Sequence, residues 1–160
     1  MTINGKVTAF ISICVVFTVA LGNVAGFAVA ADDPGIAIYN GVNQLRQTCG
    51  VIRDDPRLTA AAQRHADDML VNGVDGGHIG SDGSSPHARI VDAGYTRAGY
   101  TSEIIYWGTG SHATASAALD LWMESPVHRA VILDCALKAA GFATARRGNM
   151  MIAVGDFAAP

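Results

Sequence analysis

Several things are scarce in this chain, and each scarcity removes a class of function. Its 11 Lys and Arg residues are scattered and outnumbered by 14 Asp and Glu. A nucleic-acid partner needs a basic stripe to meet its phosphates, so none is expected. No G-x-S-x-G, H-E-x-x-H, C-x-x-C or P-loop occurs, which removes the marks of a nucleophile elbow, a zincin, a redox pair and a nucleotide cradle. Gly108-Thr109-Gly110 lacks the third glycine of a dinucleotide loop, and Asp75 to Asp82 lacks the acid spacing of a calcium loop. No cofactor is demanded. Internal repeats and linkers are absent too, so nothing divides the chain into two domains.

Charge is missing altogether from Val7 to Ala30, after a short, weakly basic start at Met1–Lys6. Ala28-Val29-Ala30 forms an A-x-A site directly before Ala31-Asp32-Asp33-Pro34. Residues 1–30 therefore read as a secretory signal peptide cut after Ala30. The alternative is a retained anchor, since 24 uncharged residues suffice to cross a bilayer. Such an anchor would be the one tie to a membrane, because the positive mean hydropathy of +0.27 is inflated by the leader. Cleavage leaves residues 31–160, a length suited to a single domain with one core.

Export governs the reading of the three cysteines. Cys14 leaves with the leader, and Cys49 and Cys135 remain as an even pair. In an oxidising compartment a Cys49–Cys135 disulfide is the default, with two free buried thiols as the alternative. Neither stands in a motif with a histidine, so cysteine catalysis is not expected.

Along the mature chain, Asp32-Asp33-Pro34 opens a helix in which Ile38, Val42 and Leu45 recur at helical spacing until Cys49-Gly50. A second helix runs from Asp54-Asp55-Pro56 to Asn72-Gly73 with an alanine-rich face. Residues 73–86 form a long loop rich in Gly, Asp and Ser, of the kind that is functional or disordered. Ser85-Pro86 opens a short helix that ends at Gly94. Thr101–Trp107 reads as a strand, and Thr114–Glu124 as a helix burying Ala117, Ala118, Leu121 and Trp122. Ser125-Pro126 stops that helix and starts another, because the residue before proline is driven out of the helical region while proline suits a first turn. Gly141–Ala145 and Met150–Val154 flank the turn Arg146-Arg147-Gly148-Asn149 as a hairpin that Asp156-Phe157 extends. The order describes an α+β domain with helices packed on a small antiparallel sheet.

Of five histidines, His65 lies inside the second helix as a packing residue, His87 starts a helix in solvent, and His112 sits in a polar loop. His78, beside Gly77, and His128, in the first turn after Ser125-Pro126, stand where the backbone is restricted. Glu103 is a lone acid in an apolar strand, and a buried carboxylate needs a partner. That partner is either a backbone turn or an arginine such as Arg89, or else a histidine across a cleft.

In order along the chain, Leu58-x-x-Ala61-Ala62-x-x-His65-Ala66-x-Asp68-Met69, Gly77-His78-x-Gly80-Ser81-Asp82-Gly83, Arg89-Ile90-x-x-Ala93-Gly94-Tyr95, Ser102-Glu103-Ile104-Ile105, Trp122-Met123-x-Ser125-Pro126-x-His128-Arg129 and Ala140-Gly141-Phe142 resemble the CAP superfamily, the SCP-like secreted domain. The likeness covers essentially the whole mature chain and is similar to the short bacterial forms. It implies an α-β-α sandwich with a central cleft holding two histidines and two acids, a set that binds zinc in some members. His78, Glu103 and His128 match three of those positions. The second acid of the family falls three residues after the tryptophan, where this chain has Ser125; Glu124 is one residue off, a rotation of about 100° on a helix. Ser102 and Ile104 also replace the Gly and Asn that commonly flank the first acid. The resemblance implies, first, a secreted, non-enzymatic module that binds a sterol, a fatty acid, or an envelope or host protein. Its second implication is a zinc-assisted hydrolase with His78 and His128 as ligands and Glu103 as ligand or base. A third reading has these residues only tie loops to the core.

Overall fold

Four of the chain's five prolines open helices, and they lay out most of the fold. The computed structural model of the protein describes Met1 and residues 33–160. Residues 2–32, which hold the expected leader, its expected cut site and Cys14, lie outside the described residues. Helix α1 (Pro34–Leu45) is capped by Asp33, whose side chain accepts from Gly35 N at 2.8 Å. In α2 (Pro56–Asn72) Asp55 accepts from Arg57 N at 3.1 Å, and in α3 (Pro86–Asp92) Ser85 accepts from Ala88 N at 3.2 Å. Each cap satisfies one of the amide donors that a helix start leaves open. α4 (Ala115–Glu124) uses Thr114 in the same way. Ser125, extended at φ −80° and ψ 118°, ends α4 and begins α5 (Pro126–Ile132), as the Ser-Pro pair requires.

Between the helices, β1 (Arg53–Asp54), β2 (Thr101–Thr109), β3 (Ala139–Arg147) and β4 (Met150–Ala158) form one sheet in the order β1-β3-β4-β2. β3 and β4 make the expected hairpin, closed tightly with Arg147 opposite Met150 and Gly148 at φ 58°. β2 pairs antiparallel with β4 along its whole length and forms an edge of the sheet. The sheet is mixed rather than purely antiparallel, because the two-residue β1 runs parallel to β3. No periodic pattern in Arg53-Asp54 announces that strand; it exists through bonds to a segment more than 80 residues away, such as Arg53 N to Lys138 O at 3.0 Å.

Alternation along the strands sends side chains to two faces. Ile104, Tyr106, Ala140, Phe142, Met151, Ala153 and Phe157 pack with Ile38 and Val42 of α1, Ala118 and Trp122 of α4, and Ile132 of α5. Ile105, Ala143, Ala145, Ile152 and Val154 meet Ala62, Ala66 and Met69 of α2, while Ala139 and Ala158 meet Leu58, Ala61 and Ile90. The result is the α-β-α sandwich that the resemblance implies. Gly141 permits its tightest contact, since a Cβ there would lie 2.0 Å from Thr59 N.

α1 stops at Leu45, short of Cys49-Gly50, because Arg46 turns inward. Its buried guanidinium donates to the carbonyls of Ile132, Asp134 (3.0 Å) and Leu137 (2.8 Å), satisfying the end of α5. Beside it, Cys49 and Cys135 are joined in a disulfide, so the paired reading holds. The long loop after α2 is ordered by local ties: Asp68 accepts from Ser81 N at 2.8 Å, and Arg64 reaches Asp82 and Asp92 at 2.7 and 2.9 Å. Among the described residues, no helix is long and apolar enough to cross a membrane.

Candidate functional site

Glu103 lies near the start of the edge strand β2, on the face covered by α2 and α3. Its side chain is 1% exposed, and both oxygens are engaged. Arg89 Nη2, equally buried on α3, donates to Oε2 at 2.6 Å. His78 Nδ1 meets Oε1 at 2.8 Å. An ionised carboxylate only accepts, so Nδ1 carries the hydrogen and Nε2 is the free nitrogen of His78. Arg89 also donates to His78 O at 3.1 Å and Ser84 O at 2.8 Å, so one guanidinium holds both the loop backbone and the carboxylate that orients the ring. The two partners left open for Glu103 are therefore both present.

His65 belongs to this cluster, beyond the packing role expected of it. It is fully buried on α2, with Nε2 2.9 Å from Gly77 O and 3.8 Å from Glu103 Oε1. Desolvation lowers its pKa and keeps the ring neutral, outweighing the nearby carboxylate. Directly opposite Glu103 in the β2–β4 register stands Asp156, 0% exposed, with no hydrogen-bond partner for either oxygen. Its pKa is pushed well above the usual carboxylate range, first by desolvation and then by the charge of Glu103, with Arg89 pulling the other way. Two carboxyls share one buried cation, which favours the protonated form of Asp156. The sequence carried a signal for this residue, since Asp156, like Glu103, is a lone acid in an apolar strand.

His128 enters from the opposite side, in the first turn of α5. It is half-buried, and its Nδ1 is buried without a hydrogen-bond partner. Burial lowers its pKa, and the proximity of His78 lowers it further. His78 and His128 line one cavity of about 350 Å³ together with Gly77, Ile105, Tyr106, Trp107 and Leu121. A shallower depression continues from Tyr106, Trp107 and Leu121 to Gly108, Thr109 and His112. Trp107 and Leu121, each nearly half exposed, wall this groove. Sequence reasoning buried Leu121 and passed over Trp107, because the groove runs along the sheet edge, where neither strand nor helix period marks a wall. Trp122 fixes its floor: the buried indole donates to Ile105 O at 2.9 Å and ties α4 to β2. Of the other expected site residues, Glu124 is exposed at the end of α4, and Ser125 makes no capping bond with its side chain. His87 and His112 are exposed.

The family model described as the cysteine-rich secretory protein family, CAP, matches residues 39–157. The chain belongs to this family. Solved structures with the same fold include an outer surface protein of Borrelia burgdorferi, at a TM-score of 0.67 and 20% identity over 78% of this chain and 90% of that one. An extracellular protein containing an SCP domain from Bacillus anthracis matches at 0.65 and 19% identity, over 79% of this chain and 40% of that one. A cysteine-rich secretory protein from Staphylococcus aureus matches at 0.60 and 13%, over 81% and 40%. No curated protein matches the sequence.

The zinc that some CAP proteins carry can be tested against the donors of this CAP domain. Glu103 is shut behind His78 with both oxygens taken. His128 lacks the hydrogen-bonded group that orients a metal-binding imidazole. Among the described residues, no group of three or more His, Cys, Asp or Glu side chains is placed to hold a metal. The His78, His128 and Glu103 set does not fit a three-ligand zinc centre.

Proposed function

We propose that this CAP domain is a secreted, non-enzymatic binding module, and that its cleft takes a lipid-like ligand. The observation that carries the reading is the groove itself: Ile105, Trp107 and Leu121 offer apolar walls, and His78 and His128 stand together at one end. A fatty acid or sterol matches that polarity, with its hydrocarbon along Trp107 and Leu121 and its carboxyl or hydroxyl against the imidazoles. Cavities of this size and lining suit small amphipathic ligands. A hydrolase would need Glu103 free to take a proton, whereas here it is held by Arg89 and His78. The secreted setting rests on the leader and on relatives described as extracellular or outer-surface proteins.

Tryptophan fluorescence gives the test. The chain has two tryptophans, Trp122 fully buried and Trp107 at 48% exposure, so a ligand in the groove changes the emission of Trp107. Titration with a long-chain fatty acid or a sterol should give a saturable blue shift that Leu121→Glu abolishes. No saturable change with either lipid, and no lipid mass on the purified protein, would leave the groove to an envelope or host protein.

A further inference from the structure

We propose that the protein carries a second binding site, away from the cleft, that takes a phosphate monoester on Arg57 and Arg97. These two arginines, far apart in sequence, line one cavity of about 340 Å³ with Tyr95 and Thr96, at the end of the sheet where β2 begins. The cavity shares no lining residue with the groove. Folding holds the first guanidinium in place. Asp55, the cap of α2, accepts from Arg57 Nε at 2.8 Å and from Nη2 at 2.7 Å. Gly94, at φ 91°, closes α3 with a left-handed turn in which Tyr95 N donates to Ile90 O at 3.1 Å and Gly94 N to Val91 O at 2.9 Å. That turn packs the Tyr95 ring near Ile90 and against Arg57, whose guanidinium carbon lies 4.7 Å from the ring centre. Nη1 reaches Gly94 O only at 3.5 Å. A hydrogen on Nη2 and the loosely held Nη1 edge are left over, on a side chain that is 48% exposed and lines the cavity.

Charge at this end of the sheet is unbalanced. Asp55 also accepts from Arg53 at 2.8 Å, so one buried carboxylate answers two arginines. Among the described residues Arg97 pairs with no carboxylate, and Asp92 at the end of α3 is taken by Arg64 at 2.9 Å. Asp54 lines a different cavity, with Asp33 and Phe142, because successive residues of a strand face opposite sides. Arg53, Arg57 and Arg97 thus stand against the single acid Asp55, in a chain whose acids outnumber its Lys and Arg by 14 to 11. A planar guanidinium donates in parallel to two oxygens of one phosphate, and a second arginine meets the second charge of a monoester. Thr96 adds a hydroxyl donor. A cavity of this volume also holds the alcohol part of an ester, such as a glycerol or sugar unit. A soluble phosphate ester and a phosphomonoester lipid headgroup offer the same chemistry.

Isothermal titration calorimetry with glycerol phosphate in a chloride buffer tests the site, with glycerol as the uncharged control. The wild type should bind glycerol phosphate saturably and glycerol not at all. Arg97→Gln, at an exposed position with no ion pair to lose, should keep the wild-type urea midpoint and weaken binding at least about tenfold. Arg147→Gln removes the same charge at the far end of β3 and should leave the affinity within about twofold. No saturable binding by the wild type would overturn the proposal. Equal losses in Arg97→Gln and Arg147→Gln would do so too, because net charge alone would then explain the binding. Flotation with phosphatidylcholine vesicles, with and without phosphatidic acid, assigns the source once the site is established. Arg97-dependent retention on the phosphatidic acid vesicles marks a lipid headgroup, and binding of glycerol phosphate without retention marks a soluble ester.

Discussion

Replacing Asp156 by Asn tests the charge balance beneath the cleft most directly. Asn keeps the shape of the side chain and is neutral in both folded and unfolded states. The wild-type carboxyl is neutral only when folded, because it is fully buried opposite Glu103 and the single cation Arg89 is already paired. An unfolded Asp releases its proton near pH 3.9, whereas the folded one holds it to a much higher pH. Between those limits the native state binds one more proton than the unfolded state. Wild-type stability must therefore fall as pH rises through the window, by about 1.4 kcal/mol per unit from this group alone. Asp156→Asn is free of that slope. Urea unfolding of both proteins, in half-unit steps upward from about pH 4, should give a stability difference that shifts at this rate in favour of the Asn protein. The divergence should level off where the folded Asp156 finally ionises. Groups that do not interact with Asp156 cancel in the difference. Parallel curves across the range would mean that Asp156 ionises normally, and the one-cation account of the cluster would fail.

Three further outcomes follow from the same structure. Arg89→Met should cost about 3–5 kcal/mol in urea unfolding, because it leaves the Glu103 carboxylate buried and unpaired; a loss below about 1 kcal/mol would show that the ion pair is not what holds Glu103. Reducing the Cys49–Cys135 disulfide, which spans a separation of 86 residues, should lower stability by about 4–5 kcal/mol on the chain-entropy argument, read from the urea midpoint with and without reductant. Trp107→Ala, at a half-exposed position, should move the urea midpoint little, within about 0.5 kcal/mol, while weakening lipid uptake measured by native mass spectrometry; unchanged uptake would remove Trp107 from the groove's binding wall.

Much of this domain was legible residue by residue. Asp33-Pro34, Asp55-Pro56, Ser85-Pro86 and Ser125-Pro126 each start a helix where expected, and the β3–β4 hairpin closes at Gly148. Caps, proline geometry and tight turns are settled by bonds within about four residues, so the local sequence suffices to place them. The same holds for His128, which reaches the first turn of α5 because Ser125-Pro126 permits nothing else there.

What escaped the sequence is long-range. β1 exists because Arg53 N finds Lys138 O, and α1 ends early because Arg46 is drawn to carbonyls at the end of α5. Glu103 announced that it needed a partner without saying which, and folding supplied both His78 and Arg89. Asp156 became its neighbour only through the β2–β4 register, and His65 only through the packing of α2 on the sheet. Local sequence determined where the elements begin and which residues had chemistry to offer. The tertiary structure decided which charges meet, because desolvation and pairing act between groups that only the packed sheet brings within hydrogen-bond range.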